Sequence, residues 1–168
     1  MKVLGIDPGL HATGYGFLGT DRFGLSDQLI FWIIKSKPTD PLSLRILKIT
    51  DELRALIRRE KPDVCAIETL FFKPVAARSV ILSAHLRGAI FLLLENEGIP
   101  IRELTPATVK LSLTGNGRAS KQQIKYMVRQ VFGIDKGPPE DAADALAVAY
   151  CAMKIKDKPR IDTNVHEG

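Results

Sequence analysis

Lys2-Val3-Leu4-Gly5-Ile6-Asp7-Pro8-Gly9 is a short apolar run that ends in an acid and is closed by a turn. Val and Ile favour extended, half-buried chain and Pro-Gly interrupts it, so the spacing predicts a strand over Lys2 to Asp7. Thr13-Gly14-Tyr15-Gly16-Phe17-Leu18 follows after a tight connection and reads as the second arm of a hairpin. Gln28 to Lys35, rich in Ile, Phe and Trp, reads as a third strand. Beyond these three strands the pattern alternates. A helix begins near Pro41, with Thr39 or Asp40 placed to cap it. It carries Ile46, Ile49, Leu53, Leu56 and Ile57 at helical spacing and ends at Lys61-Pro62. Asp63 to Glu68 is an apolar strand finishing in an acid, Ala76 to Asn96 a long helix, and Pro100 to Leu104 a fifth strand. A short helix starts at Pro106, Ser120 caps another through Phe132, and a last one runs from Pro139 to Met153. Three successive strands followed by alternating strand and helix predict an α/β fold. Its sheet is mixed and five-stranded, antiparallel first and parallel later, with flanking helices.

The 168 residues suffice for one domain, placed over residues 1–155, and the polar stretch from Lys156 to Gly168 reads as a disordered tail. No segment approaches the roughly 18 apolar residues of a membrane span, so no membrane association is expected. Gly5 and Asp7 fall where a secretory signal would keep an apolar core, which points to the cytoplasm. Cys65 and Cys151 lie inside apolar runs without metal-ligand spacing and read as small buried hydrophobes. The helix from Ala76 to Asn96 is apolar nearly all round in Ala89-Ile90-Phe91-Leu92-Leu93-Leu94. Such a helix must be covered on two sides, either within one monomer or by the sheet and a second subunit.

Net charge is +5, from 24 Lys plus Arg against 19 Asp plus Glu. The distribution is more telling than the sum. Between Thr105 and Ile134 there is no acid, yet Lys110, Arg118, Lys121, Lys125 and Arg129 all fall there. A one-sign stretch of that length points to a surface facing phosphates, against the plainer reading of a solvated basic helix face. Lys121, Lys125 and Arg129 form a stripe at i, i+4 and i+8. The helix start behind Gly115-Asn116-Gly117 is a natural phosphate site.

The acids beside apolar sequence carry the chemistry. Asp7 ends the first strand and Glu68 the fourth, while Asp141 and Asp144 lie three apart near the start of the last helix, on one face. The alanines around that pair let the helix lie close against a sheet. Buried carboxylates repel one another and are costly without partners, and a hard divalent cation relieves both problems. If the two strands are neighbours, the four acids converge into a two-metal site suited to phosphodiester hydrolysis. Taken singly, Asp141 also reads as a dipole-favoured first-turn acid and Asp7 as a turn cap.

Gly5-Ile6-Asp7-Pro8-Gly9 with Thr13-Gly14-Tyr15-Gly16, Ala66-Ile67-Glu68 with Phe71-Phe72, Gly115-Asn116-Gly117-Arg118-Ala119-Ser120-Lys121 and Asp141-Ala142-Ala143-Asp144-Ala145 closely resemble the RuvC family of bacterial Holliday junction resolvases. The resemblance runs from Met1 to about Met153, in order. It implies a ribonuclease H-like fold and a homodimer that resolves four-way DNA junctions by paired symmetric nicks. It further implies dependence on Mg²⁺, with Mn²⁺ as the alternative ion and two ions per site, and a branch-migration helicase partner of the RuvA and RuvB type. By position, Asp7, Glu68, Asp141 and Asp144 match the family's catalytic, metal-holding acids. Lys110 and Lys121 match basic residues near the scissile phosphate, and Phe71 matches an aromatic that stacks on junction bases. Lys73-Pro74-Val75-Ala76-Ala77-Arg78 and Ser83-Ala84-His85-Leu86-Arg87-Gly88 depart from the family pattern, which bears on junction grip and cleavage sequence. Two other classes compete. An actin-like or sugar-kinase phosphotransferase would need a second lobe that 168 residues do not supply. A silent DNA-binding module would gain nothing from four acids near phosphates.

Overall fold

The computed structural model describes residues 1–20, 26–70 and 77–155. The chain runs β1 (Lys2–Asp7), β2 (Ala12–Thr20), β3 (Ser26–Lys35), α1 (Leu42–Glu60), β4 (Val64–Glu68), α2 (Ala77–Asn96), β5 (Ile101–Leu104), α3 (Pro106–Thr114), α4 (Lys121–Phe132) and α5 (Glu140–Lys154). The five strands form one sheet in the order β3-β2-β1-β4-β5. β1 pairs antiparallel with β2 and parallel with β4, and β4 pairs parallel with β5. Asp7 and Glu68 therefore leave the sheet at the carboxyl ends of neighbouring parallel strands, the edge where open α/β sheets build their sites.

Strand alternation sorts the side chains. Leu4, Ile6, Phe17, Cys65 and Ile67 pack with Ile49, Leu53 and Leu86 under α1 and α2. Val3, Leu18, Val64 and Ala66 pack with Val109, Ile124 and Leu146 under α3, α4 and α5. Asp7 and Glu68 share the parity of the second group, so both belong to the face that α5 covers. Both cysteines are buried and free, as their apolar surroundings required.

α5 sits unusually close to that face. Ala142, Ala143, Ala145, Ala147 and Ala149 are buried along it, and glycines stand beneath them. A methyl group on Gly14 would lie 1.9 Å from the Asp141 carbonyl oxygen, and one on Gly5 would lie 2.2 Å from that of Ala145. A methyl on Gly16 would meet Leu146 Cδ2 at 2.7 Å. The helix backbone thus rests on the strand backbone, and the place of Asp141 and Asp144 follows from that seat.

The helix ends show where local signals were sufficient. Ser120 accepts from the Gln123 amide while the Gln123 side chain accepts from Ser120 N–H, a reciprocal cap for α4. The expected cap of α1 by Thr39 or Asp40 does not form. Pro41 occupies the N-cap position in extended conformation, with no side-chain cap. Thr39 and Asp40 thus fall before the cap position, from which side chains reach the first free amides. α5 likewise starts just after Pro139 with Glu140 and Asp141 in its first turn, where the helix dipole favours acids.

α2 partly answers the question that its composition raised. Leu86, Ile90, Leu93 and Leu94 are buried in the monomer's own core, whereas Ile81 and Leu92 are 55% and 64% exposed. The monomer covers most of the helix and leaves one apolar stripe uncovered.

Gly14→Ala should lower stability by about 3 kcal/mol, the upper end for an overpacked core, because no rotamer change relieves a clash between two backbones. Urea unfolding checks this. A melt within experimental error of the parent would show that α5 is not seated on the sheet as described.

Candidate active site

Asp7 and Glu68 reach the site from strand ends, and Asp144 descends onto them from the second turn of α5. All three are partly buried. Burial and the nearby Asp144, Glu68 and Asp141 charges push the Asp7 carboxyl up to about 7, with Lys121 opposing. Burial, then Asp144, raises Glu68 against Lys110 and Lys121. Burial also raises Asp144, with Lys121 as the main opposing charge and Glu140 and Asp141 adding to the rise. Few arrangements keep several like charges this near one another without a function.

A cavity of about 280 Å³ opens beside Glu68 and Asp144, lined also by Pro106, Val109, Lys110 and Lys121. Lys121 Nζ lies 3.9 Å from Asp144 Oδ2. Lys110 and Lys121 thus stand at the acids, from α3 and from the capped start of α4. Arg118 is exposed in the loop between those helices, where its N–H is held by the Asn116 side chain at 2.9 Å.

The remaining basic residues are engaged by groups that the sequence reading did not weigh. Glu140 accepts from Lys121 Nζ at 2.7 Å and from Lys125 Nζ at 3.0 Å. Those hydrogen bonds hold the Glu140 carboxyl down at about 2 and raise Lys121. Arg129 donates to the Asp135 carbonyl at 2.8 Å. The stripe at i, i+4 and i+8 is therefore not an open row of cations. Phe71 and most of the altered Lys73–Arg78 loop lie outside the described residues, as does the tail from Lys156.

Arg87 was also passed over. Buried in α2, it donates to the Glu68 carbonyl and to the Glu103 carboxylate, with its guanidinium 4.7 Å from the Phe91 ring centre. It fixes the end of β4 from behind the site. A cation just before the apolar run from Ala89 to Leu94 was the available signal. Thr69, next to Glu68, has the one buried side-chain polar atom without a partner among the described residues.

The donor set suits a hard divalent ion: four carboxylates, several short of solvent, with mutual repulsion that a bound cation relieves. The convergence expected of them is incomplete. Among the described residues no three acids, histidines or cysteines are gathered closely enough to hold an ion. Asp141 borders a separate cavity of about 370 Å³ with His11, Arg45 and Ser83.

Comparison with known proteins gives the site its context. The profile described as crossover junction endodeoxyribonuclease RuvC matches residues 3–152. This chain belongs to the RuvC family. The family member from Petrotoga mobilis is 45% identical over 155 residues, covering 90% of this chain and 92% of that one. That from Desulforamulus reducens is 42% identical over 155 residues, again covering 90% and 92%. The structure of Thermus thermophilus RuvC in complex with Holliday junction substrate superposes with a TM-score of 0.78 at 30% identity, over 90% of this chain and 92% of that one. The fold is the ribonuclease H-like one that the resemblance implied.

The Asp7 carboxyl has a sign consequence for the metal-free protein. The folded state keeps its proton up to about 7, while the unfolded chain releases it near 3.8. Between those values the native state binds more protons, so stability falls as pH rises and levels off above about 7. Urea midpoints in chelator across that range should show this slope in the parent and lose most of it in Asp7→Asn.

Proposed function

We propose that this chain is a homodimeric endonuclease that resolves four-way DNA junctions by paired symmetric nicks, using divalent metal held by Asp7, Glu68, Asp141 and Asp144. The observation that carries the reading is the cavity in which Glu68 and Asp144 meet Lys110 and Lys121. Acids and cations facing one space serve a phosphodiester: the acids for the metal, the cations for the phosphate. Two Mg²⁺ ions, or Mn²⁺ in their place, would activate water and stabilise the leaving oxygen.

The protein's own part is positioning and charge. Glu68 is held at its carbonyl by Arg87, so its side chain is presented from a fixed strand end. Lys110 and Lys121 stabilise the negative charge that builds on the phosphate during attack. Lys125, Arg118 and Arg129 extend the cationic surface along the strand path, and Lys121 and Lys125 exchange Glu140 for phosphate oxygens when DNA arrives. Phe71 stacks on junction bases. No described helix is long and apolar enough to cross a membrane. We place the enzyme in the cytoplasm, working with a branch-migration helicase of the RuvA and RuvB type.

The direct test is cleavage of a synthetic four-way junction with Mg²⁺, beside a linear duplex of the same sequence. Asp7→Asn, Glu68→Gln, Asp141→Asn and Asp144→Asn should each abolish nicking and leave junction binding largely intact, since the basic surface supplies affinity. An Asp144→Asn protein that cut at the parent rate would remove the metal assignment.

Two opposed nicks need two active sites at a fixed distance, which a twofold-symmetric dimer supplies. The uncovered stripe of α2, with exposed Leu44 and Leu47 on α1, is the surface we assign to that interface. Leu92→Glu places a charge outside the monomer core, so it should give a folded monomer that nicks without pairing. Sedimentation and circular dichroism read both properties. Paired nicking by a parent protein that sediments as a monomer would defeat the dimer.

A further inference from the structure

The cavity on the far side of Asp141 contains a cation that the chemistry above does not use. Arg45, in the first turn of α1, donates its Nε–H to Ser36 Oγ at 2.8 Å. Ser36 is itself fixed. It is buried, its hydroxyl donates to the Leu10 carbonyl, and its amide donates to the His11 carbonyl at 3.2 Å. With its proton committed to Leu10, the Ser36 hydroxyl can only accept from Arg45, and the direction of the chain of bonds is settled. The β1–β2 turn that leaves Asp7 thus holds the guanidinium in place, and Thr13 braces the same turn by donating to the Gly9 carbonyl at 2.8 Å.

Arg45 spends one of five N–H donors on Ser36. It pairs with no carboxylate among the described residues, although Lys121, Lys125, Arg54, Arg58 and Arg87 all do. It lines the cavity of about 370 Å³ together with Gly9, His11, Ser83 and Asp141. A half-buried guanidinium, an imidazole and a hydroxyl line this space beside the Asp141 carboxylate, and the planar fork of the guanidinium suits a phosphate. The location selects which phosphate. Asp141 borders this cavity and Asp144 the one with Lys110 and Lys121. These acids stand one turn apart on α5, so a strand crossing them places successive phosphates in the two cavities.

We infer that Arg45, with His11 and Ser83, forms a subsite for a phosphate that flanks the scissile one on the cleaved DNA strand. Arg45 is a positioning residue: it holds the strand on the turn that carries Asp7. The inference rests on the endonuclease reading.

The experiment replaces single phosphates within two positions of the cut by uncharged methylphosphonates, in four-way junctions otherwise identical. The parent protein should lose about tenfold in rate at one flanking position, the scale of one charge-assisted contact. Arg45→Gln keeps a donor for Ser36 and removes the charge. It should cut about tenfold more slowly on all-phosphate junctions and be indifferent to that same replacement. Its binding should show a log–log salt slope smaller by nearly one unit. Thermal melts of Arg45→Gln and Arg45→Lys keep folding separate from contact, and Arg45→Lys should recover part of the rate. If Arg45→Gln cuts at the parent rate, or keeps the parent's sensitivity at every flanking position, the subsite is wrong and the endonuclease reading stands. If the parent cuts no junction, both fall together.

Discussion

Everything at the site depends on how near α5 comes to the sheet. A helix normally meets a sheet through interdigitated side chains, which set its distance and leave some freedom. Here Gly5, Gly14 and Gly16 remove the side chains on one side and a run of alanines removes most of them on the other. Backbone meets backbone, so the position of Asp141 and Asp144 depends on few rotamers. Glycine and alanine also lose almost no side-chain entropy on burial. The arrangement holds acids in register at the cost of admitting almost no substitution beneath them.

That rigidity brings like charges together, and the surrounding residues are arranged around the resulting repulsion. Burial and mutual repulsion raise Asp7, Glu68 and Asp144 together. Lys121 opposes the rise in all three and is itself kept in place by Glu140. Glu140, whose carboxyl is held down at about 2 by its hydrogen bonds to Lys121 and Lys125, stays ionised as a counter-charge while its raised neighbours titrate. Behind the site Arg87 ties the end of β4 to Glu103 on β5, so that Glu68 and the next strand share one anchor.

The succession of strands along the chain and the acids that end two of them could be read directly in the sequence because both are local signals. Apolar alternation marks a strand within six residues, and an acid at its end marks an edge. Ser120 and Gln123 are likewise a signal contained in four residues. What escaped reading depends on partners distant along the chain. Glu140 is 19 residues from Lys121 and 15 from Lys125, and nothing near it in sequence reports either contact. The glycine floor needed a pairing of β2 with α5 that no periodicity contains. Arg45 looks like any helix-surface cation until the turn at Leu10 and His11 is seen to hold Ser36 beneath it. The α1 start went astray for a different reason, since Thr39, Asp40 and Pro41 all carry start signals and only the geometry chooses among them.

Asp7 ends the first strand and Asp144 lies near the start of α5, and the contact of α5 with β1 joins them. A ribosome delivers these pieces in that order, and the glycine face of β1 and β2 stays bare until α5 emerges. A partly synthesised or prematurely terminated polypeptide therefore lacks half of its acids and the seat that aligns the others.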